Sequence, residues 1–160
     1  MPPLAVGDRA PDIAFTTHDG AKVRLADYAG KRPVVVFFYP KDGTPICTQE
    51  ACAFRDAFER FTRYGAEVIG VSADSDATHR AFAGKHKLPY LLASDSSGEL
   101  RKAFGVPRTL GFLPGRVTYC IDREGIVRLV FSAQLTSQDH VTKALETLAA
   151  SDGEAGPGPR

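Results

Sequence analysis

A chain of 160 residues, 43% apolar and 24% charged, has the length of one domain and the composition of an ordinary globular protein. Its net charge is +1, with no Lys/Arg block or basic-aromatic stripe, so neither a nucleic acid nor an anionic membrane is expected as a partner. The longest apolar run is too short to span a bilayer, the N-terminus lacks the apolar core of a secretory signal, and three cysteines are too few for a disulfide scaffold. The expected address is the cytoplasm.

In chain order, "DIAFTTHDGAKVRL" alternates around His18–Asp19–Gly20 and predicts an N-terminal hairpin. "LADYAGKR" predicts a short helical turn closed by Gly30. "PVVVFFYP" is a continuous apolar run ended by Pro40, expected as a strand buried on both faces with parallel neighbours. From Pro45 to Tyr64 the period changes, and Ala51, Phe54, Phe58 and Phe61 share one face of a predicted helix stopped at Gly65. "AEVIGVSAD" and "YLLASD" read as further strands. Ser75 or Asp76 is expected to cap a helix between them, and "SGELRKAFG" predicts a short helix before Gly105. "GRVTYCIDREGIVRLVFSA" reads as a hairpin across Asp122–Gly125. Ser137 is expected to cap a last helix on which Val141, Leu145 and Leu148 face inward. The boundaries that follow are a domain over residues 1–150 and a disordered tail over 151–160, where apolar groups are too few to pack. Strands alternating with helices, then a hairpin and a final helix, predict an α/β sandwich around a mixed sheet.

The chemistry is concentrated in "PKDGTPICTQEACAF", from Pro40 to Phe54, at the first strand-to-helix crossover. Functional groups of open α/β sheets gather beyond the carboxyl ends of strands. If the helix starts near Pro45, Cys47 lies in its first turn, where unpaired N–H groups and the helix dipole favour a negative sulfur, the nucleophilic form. Cys47 also continues the stripe of Ala51, Phe54 and Phe58, and so faces the body of the protein. Cys52 does not share that face. Five helical residues turn it ~140° away and raise it ~7.5 Å, which puts the two Cα atoms ~8.6 Å apart. A disulfide needs less than ~7 Å, so a bond between these cysteines requires the first turns to unwind. Zinc is not expected, because two further ligands are needed and no nearby Cys or His supplies them. Thr44 offers a hydroxyl that both donates and accepts, or that caps the helix, and Gly43 permits a turn with positive φ.

These residues, "PKDGTPICT" with its Pro-x-x-x-Thr-x-x-Cys pattern and the following "QEACAFRD", resemble the peroxiredoxin family, and in particular its bacterioferritin-comigratory or Q-type subgroup of atypical 2-Cys thiol peroxidases. The resemblance runs from "GDRAPDIAF" to the last helix. It implies a thioredoxin-like fold and a thiol-dependent peroxidase that reduces hydrogen peroxide and organic hydroperoxides without metal, flavin or other cofactor. It assigns Cys47 as the attacking cysteine, Cys52 as the resolving one, Pro40 and Thr44 as conserved loop positions, Arg116 as the arginine opening the next strand, and Glu50 as the acid that orients it. It also implies recycling by thioredoxin or glutaredoxin, in a monomer or weak homodimer. Gly43 and Ile46 depart from the commonest subgroup pattern without removing a reacting group.

The alternatives are a general thiol–disulfide oxidoreductase, which normally carries Cys-x-x-Cys instead, and a redox sensor or holdase. Cys120, inside an apolar strand, is expected to be buried and inert. The four histidines, His18, His79, His86 and His140, are expected to be exposed and without a metal or acid–base role.

Overall fold

The computed structural model describes residues 3–106, 115–133 and 136–152. Among the described residues, seven strands and five helices follow the predicted order, two of the helices standing where one was expected. The hairpin pairs β1 (Ala14–Thr16) with β2 (Lys22–Arg24), and a single 3-10 turn, Leu25–Tyr28, follows. Then come β3 (Val34–Phe38), α1 (Pro45–Asp56), α2 (Phe58–Arg63), β4 (Glu67–Ser72), α3 (Asp76–His86), β5 (Leu91–Ser94) and α4 (Glu99–Phe104). The second hairpin, β6 (Val117–Ile121) and β7 (Val127–Ser132), leads to α5 (Gln138–Asp152).

The central sheet has the order β5-β4-β3-β6-β7, with β3, β4 and β5 parallel and β6 and β7 antiparallel. The middle strand β3 is buried along its whole length, as its unbroken apolar run requires, but only its neighbour β4 is parallel as expected; β6, which opens the second hairpin, runs antiparallel. Its residues alternate between two cores. Val35 and Phe37 point to the face covered by α1, α2, α3 and α5, where Ala51, Phe54, Phe61, Phe82, Val141 and Leu148 pack. Val34, Val36 and Phe38 point to the face closed by α4 and the N-terminal segment, with Leu25, Leu100, Phe104 and Tyr119.

Phe37 fixes α1 on the sheet. Its ring stacks on Phe54 at 4.3 Å between centroids, and it crosses the neighbouring strand so closely that a Cβ on Gly70 would lie 2.8 Å from its ring. Glycine at that strand position makes room for the ring that seats the helix.

Two further expectations differ in detail. The single helix expected from Pro45 to Tyr64 is broken at Ala57, whose φ of −95° and ψ of 1° end α1 before α2 begins. The break lets Phe58 turn aside while Ala57 and Phe61 stay in the core. The last helix runs to Asp152, two residues past the expected boundary, and the rest of the expected tail, 153–160, lies outside the described residues. Ser75 does cap α3, its side chain accepting from the Thr78 N–H at 3.1 Å. No helix among the described residues is long and apolar enough to cross a membrane.

Candidate active site

The loop from Pro40 to Thr44 leaves the carboxyl end of β3 and turns through Gly43, whose φ of 84° a side chain would resist. Thr44 then occupies the N-cap of α1 in extended conformation and Pro45 the first helical position. The first bond of the helix runs from Thr48 N to Thr44 O at 2.8 Å, so the N–H groups of Ile46 and Cys47 lie ahead of it at the positive end of the helix. The Thr44 side chain makes no cap; its hydroxyl donates to the Lys41 carbonyl at 2.9 Å. Its lone pairs are left for another donor.

Cys47 is 1% exposed and faces the core, as its stripe predicts. Arg116, just before β6, donates to the Cys47 sulfur from Nη2 at 3.3 Å and to Glu50 Oε1 from Nη1 at 2.7 Å. One guanidinium therefore spans two acidic groups placed one helical turn apart on α1, a geometry that its planar fork permits and a lysine does not. All three residues are buried. Burial works against the Arg116 charge, but Glu50 and then Cys47 outweigh it and raise its pKa. Burial also pushes the Glu50 carboxyl up to about 7, with Arg116 opposing. Thus four expected site residues, Thr44, Cys47, Glu50 and Arg116, converge at the start of α1, with Pro40 at the loop's entry.

Cys52 lies apart from them. It is half-buried on the flank of α1 that carries Arg55, and both cysteines are free thiols. Just before it, the Ala51 carbonyl accepts from the buried Tyr90 hydroxyl at 2.7 Å. Cys120 is fully buried in β6, and burial pushes its thiol up to about 12, as suits an inert position.

The histidine expectation is corrected for two residues: His79 and His140 are fully buried. His79 on α3 lies 2.5 Å from Asp42 Oδ2 through Nδ1 and 3.1 Å from the Ala93 carbonyl through Nε2. Asp42 also accepts from the Tyr39 hydroxyl at 2.6 Å, and its N–H donates to Asp74 at 2.8 Å. The ligand atoms of Asp42, Asp74 and His79 lie within 4.8 Å of one another. Hydrogen bonds already engage these three side chains, and together they tie the loop ahead of Cys47 to α3 and β5. His140 on α5 contacts Thr118 Oγ1 at 2.7 Å and comes within 3.5 Å of Glu50 Oε2. A helical wheel carries the missed signal. His79 precedes Phe82 and Ala83 by three and four residues, and His140 precedes Ala144 and Leu148 by four and eight, so each falls on the buried face of its helix. A cavity of about 850 Å³ lies at the far end of the sheet between Pro33, Asp122, Arg128 and Glu146, and holds none of the site residues.

Comparison with known proteins gives the family. Residues 6–130 match the model of the AhpC/TSA family. The chloroplastic peroxiredoxin Q of Suaeda salsa is 50% identical over 146 residues, which cover 91% of this chain and 68% of that protein. Peroxiredoxin Q of Sedum lineare, also chloroplastic, is 48% identical over 89% of this chain and 76% of its own. Among solved structures, peroxidoxin BcpB from Mycobacterium tuberculosis superposes with a TM-score of 0.83 at 37% identity, covering 92% of this chain and 97% of that one. Peroxiredoxin Q from Xanthomonas campestris gives 0.83 at 29% identity, over 94% and 98%. The thioredoxin-like fold, the family motif and these relatives agree: the chain belongs to the AhpC/TSA family and is a peroxiredoxin of the Q type, a peroxidase that works through thiols.

Proposed function

We propose that Cys47 is the sulfur that attacks the peroxide and Cys52 the thiol that resolves it. The observation that carries the reading is the Arg116 guanidinium held 3.3 Å from the buried Cys47 sulfur by Glu50. A fixed cation at that distance favours the thiolate, and it also offers donors to the oxygen on which charge develops as the O–O bond breaks. The Cys47 thiolate attacks one peroxide oxygen and takes it as a sulfenic acid, while the other oxygen leaves with the bonding pair and, once protonated, departs as water or an alcohol. The Thr44 hydroxyl, with lone pairs to spare, accepts the peroxide hydrogen, and the Ile46 and Cys47 N–H groups add donors.

Cys52 then attacks the Cys47 sulfur and displaces hydroxide, giving an intramolecular disulfide once the start of α1 unwinds. A thioredoxin-type dithiol restores both thiols by exchange, and glutaredoxin is a second reductant of the same chemistry. Hydrogen peroxide and organic hydroperoxides are both substrates in this reading. The solved structures similar to this chain include one described for alkyl peroxide reduction by the Xanthomonas campestris bacterioferritin comigratory protein. The protein works as a monomer or weak homodimer in a reducing compartment, the cytoplasm by default, away from nucleic acid and membrane.

The test is stopped-flow oxidation of the reduced protein combined with peptide mapping. Fast second-order thiol loss and a Cys47–Cys52 link are expected. Cys47→Ser abolishes the reaction, whereas Cys52→Ser retains one turnover and loses recycling. Oxidation no faster than that of free cysteine, or a Cys47–Cys120 link, refutes the reading.

A further inference from the structure

Behind the Glu50 carboxylate, on the side away from Arg116, stands His140. Its Nε2 lies 2.8 Å from the Ala133 carbonyl, an acceptor only, so that nitrogen carries a hydrogen and donates. Burial holds the imidazole below its usual pKa, with the Ala133 bond opposing, so the neutral ring presents an accepting lone pair at Nδ1. Thr118 Oγ1 donates to that lone pair at 2.7 Å. Glu50 Oε2 lies 3.5 Å from the same nitrogen and has no hydrogen-bond partner among the described residues. An ionised carboxylate oxygen and the electron-rich Nδ1, both buried and 3.5 Å apart, repel. One more proton on either atom turns the contact attractive, the Thr118 hydroxyl turning its hydrogen away when Nδ1 carries it.

We propose that His140 is a positioning residue of the peroxidase site, holding jointly with Glu50 the single proton that decides how Arg116 divides its charge between the Glu50 carboxylate and the Cys47 sulfur. This rests on the reading of Cys47 as the attacking thiolate. With the proton present, whether on Oε2 or on Nδ1, the pair is neutral as a unit and the thiolate is the uncompensated anion at the guanidinium. With the proton gone, two anions share one cation and the thiolate is held less firmly. The titratable and charged groups that face the pair are Arg116 ahead of β6, Cys47 on α1 itself, Asp139 beside His140 on α5, and Tyr90 ahead of β5. Burial, with Glu50 and other charges adding to it, keeps the Tyr90 hydroxyl well above its usual pKa and therefore neutral, so the proton has no other residence there.

The experiment is an NMR titration of the reduced full chain, following the Glu50 carboxyl carbon and the His140 ring nitrogens. It is paired with the pH profile of Cys47 oxidation by hydrogen peroxide. In the wild type the two residues are expected to titrate with one common midpoint, which also appears as an inflection in the oxidation profile. His140→Asn puts an amide donor where Nδ1 stood and should lower the Glu50 midpoint by about one pH unit or more. His140→Gln keeps a donor for the Ala133 carbonyl but loses Nδ1, so it rescues a structural role without restoring the common midpoint. Independent midpoints in the wild type overturn the proposal, and that measurement needs no variant to fold. Rates lowered equally at every pH, with the profile unmoved in both variants, also overturn it. If wild-type oxidation is no faster than that of free cysteine, the peroxidase assignment of Cys47 fails instead, and the titration still reports on the pair.

Discussion

Glu50 lies between the two cysteines, so the unwinding we propose to bring Cys47 to Cys52 must pull a fully buried carboxyl out of the protein. In the folded helix burial raises its pKa from 4.5 to about 7. In the opened segment it meets water and returns toward the lower value. Between those limits the folded state keeps a proton that the open state has lost, so closure is favoured at low pH and weakens as pH rises toward 7. The full difference, about 2.5 pH units, corresponds to about 3 kcal/mol, or on the order of 300-fold in the opening equilibrium. Hydrogen–deuterium exchange of residues 46–53 in the reduced protein, corrected for intrinsic amide rates, reads this directly. Protection should fall by roughly two orders of magnitude from about pH 4.5 to about pH 7.5 and then level off. Glu50→Gln, neutral throughout, should show no such slope. A flat wild-type profile, or an equal slope in the variant, refutes the reasoning.

Arg116→Lys keeps the charge but loses the fork that reaches both Glu50 and the sulfur; the second-order rate constant with peroxide should fall about 10²–10³-fold with little change in melting temperature. Gly70→Ala forces a methyl onto the Phe37 ring and the Leu92 side chain and should cost about 1–3 kcal/mol in urea unfolding. Phe54→Ala removes the ring that stacks on Phe37 and should cost about 3–5 kcal/mol by the same measurement. His79→Leu strands the Asp42 Oδ2 oxygen in the interior; a stability loss of about 3 kcal/mol is expected, with faster amide exchange in residues 41–44.

Much of this was legible because local signals and global fold agree. The unbroken run Val34–Tyr39 has only one home, the middle of a covered sheet, and the stripe through Cys47, Ala51 and Phe54 aims the sulfur inward before any contact is known. Arg116 is different, since 66 residues separate it from Glu50 and only the family motif points to it. The break at Ala57 has no local signal because alanine favours helix; packing of Phe58 and Phe61 overrides that preference. Residue type alone does not place the buried histidines; position on the helix decides their burial. An imidazole on an apolar face needs partners brought from elsewhere in the chain, Asp42 for His79 and Thr118 for His140, and such pairing leaves no local trace.

The interruption at Ala57 also decides how far a disturbance travels. Once residues 45–52 have opened, four residues of α1 remain, fewer than a helix needs to persist on its own. With the backbone already irregular at Ala57, melting that reaches this point finds no continuous hydrogen-bond ladder into α2, which Phe61 keeps anchored in the core. The chain thus carries a firebreak. In the proposed cycle α1 is dismantled as one unit while the sheet and its remaining helices stay assembled to receive it again.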